Sequence, residues 1–175
     1  MTRDDAAPAS LPYSALVLRI LAVAIPVALA DQLSKAWVVR NFEAGYHRVL
    51  ADNFFAFVHW RNKGAAWGIF ERHTEWLALA SLAVLVLIFL FLRHLIDGRC
   101  RWQWLAVGLL TGGIAGNAID RLFRQSVVDF LFFYHRGFEW PAFNLADSGI
   151  TVGVCLYILA SFRHAAKAAA GAGQA

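Results

Sequence analysis

The sequence predicts an all-α integral membrane protein with four transmembrane helices and a small β-rich element at the membrane surface, in the first long loop. Three observations carry that expectation. Of 175 residues, 59% are hydrophobic and only 16% are charged, whereas a soluble domain carries about 45–50% apolar and about 25% charged residues. Four apolar stretches approach the roughly 20 residues that a membrane helix needs. The first long connection between them holds strand-like runs around a turn signal. So short a chain cannot hold this much apolar surface in its interior, and the excess must face lipid.

The elements follow in order. The first span, Leu11–Ala30, contains a single charge, Arg19. Its Ala28-Leu29-Ala30 end also fits a signal-peptide cleavage site. Against that reading, Asp4 and Asp5 make the start acidic, and Asp31-Gln32-Leu33-Ser34-Lys35 continues the helix in register. The connection Val38–Glu75 holds strand-like Tyr46–Leu50 and Phe54–Trp60 about the turn signal Asp52-Asn53. Its aromatics (Phe54, Phe55, Phe57, Trp60, Trp67) suit a sheet lying at the membrane surface. A second span, Trp76–Leu92, is followed by the short basic link Arg93–Arg101 and a third span, Trp102–Ile119. Leu122–Phe143 is apolar and aromatic, with Val127–Tyr134 strand-like, and the fourth span is Ser148–Phe162. The organisation expected is an N-terminal tail (1–13), one membrane domain (14–165, with the β element at 38–75) and an Ala/Gly-rich tail (166–175) of disordered composition.

Several functions are excluded early. Cys100 and Cys155 have no metal or redox spacing. The net charge of +4 is spread over loops, with no basic stripe for nucleic acid. Phosphate loops and Gly-x-Ser-x-Gly do not occur, and His47, His59, His73, His94, His135 and His164 lack metal-ligand spacing. No metal and no cofactor is expected.

Four spans put both termini on one side. The end of the first span (Asp31, Lys35), the end of the third (Asn117, Asp120, Arg121) and the start of the fourth (Asn144, Asp147) then converge on the opposite face. A plain count of Lys and Arg does not orient the protein, with seven on the termini side and nine on the other. The density of three arginines in Arg93–Arg101 favours a cytoplasmic terminal side.

Ionisable groups at membrane depth are costly and usually have a function or a partner. Asp31 and Lys35 share a helix face and read as a structural ion pair. Gly108, Gly112 and Gly116, at steps of four, let another helix approach closely and lead to Asp120, which holds a neighbouring segment. The adjacent stripe, Gly113, Asn117 and Arg121, points an amide and a guanidinium together, toward a peptide backbone or the protein's own loops. Asn144 and Asp147 form a capping box with a carboxylate at the helix start. Asp129 is the odd residue, a lone carboxylate inside Val127-Val128-Asp129-Phe130-Leu131-Phe132-Phe133 with no local partner, where desolvation favours its protonated form. Asp129 and Asp147 therefore make two carboxylates in unlike environments. One can activate water while the other protonates a carbonyl, as peptide hydrolysis requires.

Five ordered blocks make a further point: Asp31-Gln32-Leu33-Ser34-Lys35, Asn62-Lys63-Gly64-Ala65-Ala66-Trp67, Gly112 through Arg121, Val127-Val128-Asp129-Phe130, and Phe143-Asn144-Leu145-Ala146-Asp147. Together they resemble the lipoprotein signal peptidase (signal peptidase II) family from about Leu16 to Phe162. The resemblance implies an aspartic endopeptidase of the bacterial inner membrane, with cytoplasmic termini and an active site near the periplasmic face. Its substrate would be the signal peptide of a diacylglyceryl-modified prolipoprotein, met within membrane lipid and cut before the lipidated cysteine, and globomycin-type compounds would inhibit it. By the same resemblance Asp129 and Asp147 are the catalytic pair. Asn62, Asn117, Arg121 and Asn144 grip the substrate backbone, and Asp31, Lys35, Gly64 and Asp120 are supporting positions. Trp67 departs from the Phe common at its position, which bears on substrate packing. Two rival classes have weaker support. A proton or ion conductor needs acids stepping through the bilayer, and none lies mid-span; a scaffold built on the glycine stripe leaves Asp129 unexplained.

Overall fold

The computed structural model describes residues 11–64, 74–96 and 100–172, with side chains to Arg163. Trp67, His73, most of the N-terminal tail and the last three residues lie outside the described residues. Helix α1 runs Tyr13–Asn41, followed by strands β1 (His47–Ala51) and β2 (Phe55–Asn62). Then come α2 (Thr74–Leu90), the single turn α3 (Leu92–Leu95) and α4 (Arg101–Arg124). Strands β3 (Val127–His135) and β4 (Phe138–Glu139) precede α5 (Leu145–Ala172).

The helices are apolar on their outer surfaces. Leu18, Ile25, Leu29 and Leu33 of α1, Leu79, Val86, Leu87 and Leu90 of α2, and Val152, Leu159 and Phe162 of α5 are all exposed. An unbroken apolar exterior of this kind is the surface that a bilayer solvates, and water does not. By length and composition two helices can cross a membrane, α1 and the Leu145–Arg163 part of α5. The expected second span, α2, is apolar but only 17 residues long. The expected third, α4, is less apolar because it is the central helix. Its glycines, Gln103, Thr111 and Asn117 are buried against neighbours, where low hydropathy costs nothing to lipid.

Glycine makes that central position possible. A Cβ on Gly108 or Gly112 would run into α1, lying 2.6 Å from Val23 Cβ in the first case and 2.6 Å from the Ala24 carbonyl oxygen in the second. On the neighbouring stripe a Cβ on Gly113 would strike the Ala146 carbonyl oxygen of α5, and α5 answers with Gly153 against the Ala106 carbonyl. The small-residue stripe thus brings backbones together on both sides of α4. With α4 contributing only hydrogen at these contacts, the three helices pack closely and the polar ends of α1, α4 and α5 meet at one end of the bundle.

The sheet there is antiparallel, in the order β1-β2-β3-β4. The expectation of a β element confined to the first long loop is therefore corrected. Half of its strands come from the connection between α4 and α5, because β2 finds its long partner in the apolar run Val127–His135. The 38–75 boundary shifts as well, since α1 stays helical through Asn41. Turns close the hairpins where backbone φ is positive, at Asn53 and at Arg136-Gly137. One sheet face packs Val128 and Phe130 onto Val38 of α1, fixing the sheet to the bundle. At the other end of the chain, α5 is helical to Ala172, past the start of the Ala/Gly-rich stretch, consistent with alanine's helix propensity.

Candidate active site

Asp129 and Asp147 reach one cavity by different routes. Asp129 sits in β3, opposite Trp60 of β2, and Asn62 pairs two positions away with Val127. That diagonal is within side-chain reach, and Asn62 Nδ2 donates to Asp129 Oδ2 at 3.1 Å. Asp147 lies in the first turn of α5, in a reciprocal box with Asn144. The Asn144 N–H donates to Asp147 Oδ2 at 3.2 Å, and the Asp147 N–H to Asn144 Oδ1 at 3.0 Å.

The carboxylates are joined through two asparagine amides. Asn144 Nδ2 donates to Asp129 Oδ1 at 2.7 Å and to Asn117 Oδ1 at 3.3 Å. Asn117 Nδ2 donates to Asp147 Oδ1 at 2.7 Å. Lys35 Nζ, which can only donate, also contacts Asn117 Oδ1 at 2.9 Å. This sets which end of the Asn117 amide faces the lysine, and so aims its NH2 at Asp147. Asp129 is thus not without partners, as its local sequence suggests. Its donors come from 15 and 67 positions away.

Below this layer lies a fully buried ion cluster. Lys35 Nζ is 2.8 Å from Asp31 Oδ2 and 3.0 Å from Asp120 Oδ2, and the three side chains have no exposure. Arg124 closes the charge balance on Asp120. Each aspartate uses a second contact to grip the backbone. Asp31 Oδ1 accepts the Ala146 N–H at 2.9 Å, and Asp120 Oδ2 accepts the Val128 N–H at 3.1 Å. Ala146 and Val128 each immediately precede one of the paired aspartates. One lysine therefore ties together the two segments that present Asp129 and Asp147.

Gln32 and Arg124 belong to this cluster, and the sequence reading passed over both. Gln32 Nε2 donates to the Gly116 carbonyl at 3.0 Å and to Asp120 Oδ1 at 3.3 Å, while Arg124 Nη1 donates to Gln32 Oε1 at 2.8 Å. The i,i+4 spacing of Asp120 and Arg124 on α4 was the available signal.

Among the described residues, both carboxylates line a cavity of about 620 Å³ together with Asn62, Gly64, Asn117 and Arg121. Its other side is apolar, formed by Pro141, Ala142, Phe143 and Ile150, and it opens past Thr151 and Val152 on the exposed face of α5. Arg121 Nη2 lies 3.4 Å from the Gly64 carbonyl, and the Gly64 N–H donates to Asn62 Oδ1 at 2.9 Å, so the turn after β2 is tied to α4. Arg121 Nε is buried with no hydrogen-bond partner among the described residues.

Burial and then the nearby Asp147 charge push the Asp129 carboxyl up to about 7, against the opposing pull of its two asparagine donors and Lys35. A native pKa above the unfolded value of about 3.9 means that the folded protein holds an extra proton between those limits. Stability contributed by protonated Asp129 is present at low pH and is lost as pH rises from about 4 through about 7, a change on the order of 4 kcal/mol. Thermal unfolding in detergent from pH 5 to 9 should show this against Asp129→Asn. The variant should gain on the wild type as pH rises, and parallel profiles would contradict the assignment.

A helical protein with an apolar exterior and two amide-linked carboxylates on a laterally open cleft has the form of a membrane hydrolase. The comparisons narrow this class. The family profile of Signal peptidase (SPase) II matches residues 23–163. A lipoprotein signal peptidase of Burkholderia ambifaria (strain MC40-6) is 40% identical over 159 residues, covering 88% of this chain and 93% of the relative. Two solved structures of a bacterial membrane enzyme, obtained by the in meso method, superpose on the fold. The structure at 2.3 Å resolution gives a TM-score of 0.77 at 28% identity, covering 90% of this chain and 93% of that one. The structure at 1.9 Å gives 0.71 at 30% identity, covering 86% and 94%. The chain belongs to the signal peptidase II family and is a membrane protease.

Proposed function

We propose that this protein removes the signal peptide from diacylglyceryl-modified prolipoproteins, cutting before the lipidated cysteine, with Asp129 and Asp147 as the acid–base pair. The observation that carries the reading is the asparagine bridge, which fixes two carboxylates of unlike surroundings on the wall of one apolar cleft. Asp129, with its carboxyl held near 7, can carry the proton that the scissile carbonyl oxygen needs. Asp147 then accepts the proton of the attacking water. As the resulting gem-diol collapses and the C–N bond breaks, Asp147 passes its proton to the leaving amine and a gem-diol hydroxyl returns a proton to Asp129, which restores the pair. Asn62, Asn117 and Asn144 hold the carboxylates as described, and Arg121 offers the substrate backbone its Nε, which has no hydrogen-bond partner among the described residues.

The lateral opening past Val152 suits a substrate that arrives from lipid. In this reading α1, α2, α4 and α5 all cross the bacterial inner membrane. The basic end, with the termini, is cytoplasmic, and the sheet lies at the periplasmic surface. The test is a gel-shift cleavage assay on the purified chain with a lipid-modified precursor and the same precursor unmodified. Only the first should be cut, and a globomycin-type inhibitor should block it. Equal cleavage of both would overturn the substrate assignment.

A further inference from the structure

We propose that the seam between α1 and α2, at the end of the bundle remote from the carboxylates, holds one glycerophospholipid with an anionic headgroup. The helix α2 packs mainly on α4, which leaves a cavity of about 610 Å³ lined by Tyr13, Leu85, Val86, Phe89, Leu90 and Arg93. The Tyr13 hydroxyl donates to the Phe89 carbonyl at 2.7 Å and pins the two helices across the seam. Tyr13 and Asp31 are 18 residues apart on one helix, about 27 Å along its axis. That distance is close to the roughly 30 Å of a hydrocarbon core, so the cavity and the carboxylate site lie at opposite membrane surfaces.

The lining is graded as a lipid is. Leu85, Val86, Phe89 and Leu90 offer only apolar groups to an acyl chain, and Val86 and Leu90 already face outward. Arg93 stands at the mouth with its guanidinium 5.9 Å from the centre of the Tyr13 ring, which holds the fork at the level of a headgroup phosphate. Two more arginines rest on aromatic rings at this end, Arg19 on Trp104 and Arg101 on Trp102. The positive charges of Arg93 and Arg101 favour a headgroup with net negative charge over a zwitterionic one.

The test uses the full chain, purified in mild detergent, stripped of lipid and titrated with phosphatidylglycerol, phosphatidylcholine or dioleoylglycerol, with adducts counted by native mass spectrometry. One phosphatidylglycerol per chain is expected at concentrations where the other two lipids give less than a fifth of that occupancy. Arg93→Gln should lower the occupancy at least fivefold, and Val86→Trp, which fills the seam from an exposed position, should remove it. Both variants should unfold at the wild-type temperature in lipid-free detergent. Equal binding of the three lipids, or wild-type occupancy in either variant, overturns the proposal. So does displacement of the adduct by millimolar glycerol phosphate, which would mark a phosphate site without an acyl groove.

Discussion

Asp129→Asn is expected to lower the cleavage rate of a lipid-modified precursor by about 10³-fold or more, while the protein still folds. The substitution keeps the shape of the side chain and one acceptor oxygen for Asn144 Nδ2 or Asn62 Nδ2, but it removes the exchangeable carboxyl proton. An amide cannot protonate a carbonyl oxygen, so the loss falls on turnover, and substrate affinity should change little. Asp147→Asn should be as severe, because the water then has no base; the capping contact with Asn144 survives through the remaining oxygen. Turnover within tenfold of wild type in either variant would refute the assignment of the pair. The informative detail is stability. Above pH 7 the inactive Asp129→Asn protein no longer carries a carboxylate that burial and Asp147 disfavour, so it should be at least as stable as the active enzyme. A residue kept for packing alone would show the reverse.

The second large effect is expected beneath the site. Asp31, Asp120, Lys35 and Arg124 sum to zero charge, and the first three are fully buried. Lys35→Met leaves two buried carboxylates, of which only Asp120 keeps a cationic partner, Arg124. Breaking a buried pair in this way costs about 3–5 kcal/mol, or about 10 °C in unfolding temperature for a chain of this size. Asp31→Asn alone errs in the opposite direction, leaving an excess positive charge. The double variant Asp31→Asn/Lys35→Met restores neutrality and keeps an oxygen for the Ala146 N–H. It should therefore unfold above the Lys35→Met protein, despite carrying one more substitution. Unfolding temperatures in detergent for the four proteins form the cycle, and additive losses would show that the cluster is not held by charge balance.

How far the sequence exposed this arrangement depended on the range of the contacts. The apolar runs located all four long helices but cut three of them short: α1 continues eleven residues beyond Ala30, α4 five beyond Ile119 and α5 ten beyond Phe162. Asp31 and Lys35 were readable as a pair because four residues of helix bring them together, and the Asn144–Asp147 box was readable for the same reason. The glycine stripe announced a close approach, but not that its partners would be the α1 and α5 backbones. Asp129 stood out as misplaced among valines and phenylalanines. Its donors could not be seen, because Asn62 reaches it only through the pairing of β2 with β3, two strands that belong to different loops. Gln32 and Arg124 escaped notice because a polar residue at a helix end looks solvated until the packing covers it.

The amide groups between Lys35 and the paired aspartates have one more consequence. A lysine in direct contact with Asp147 would place a mobile proton beside it. Asn117, placed between them, passes on orientation and can neither take up nor release a proton under ordinary conditions. The buried cluster and the carboxylate pair are therefore joined mechanically and insulated as acids. In the mechanism proposed above, protons would cycle between Asp129, Asp147 and the cleft without discharging the ion cluster that keeps both segments in place, and each turnover would leave the support in the state in which it began.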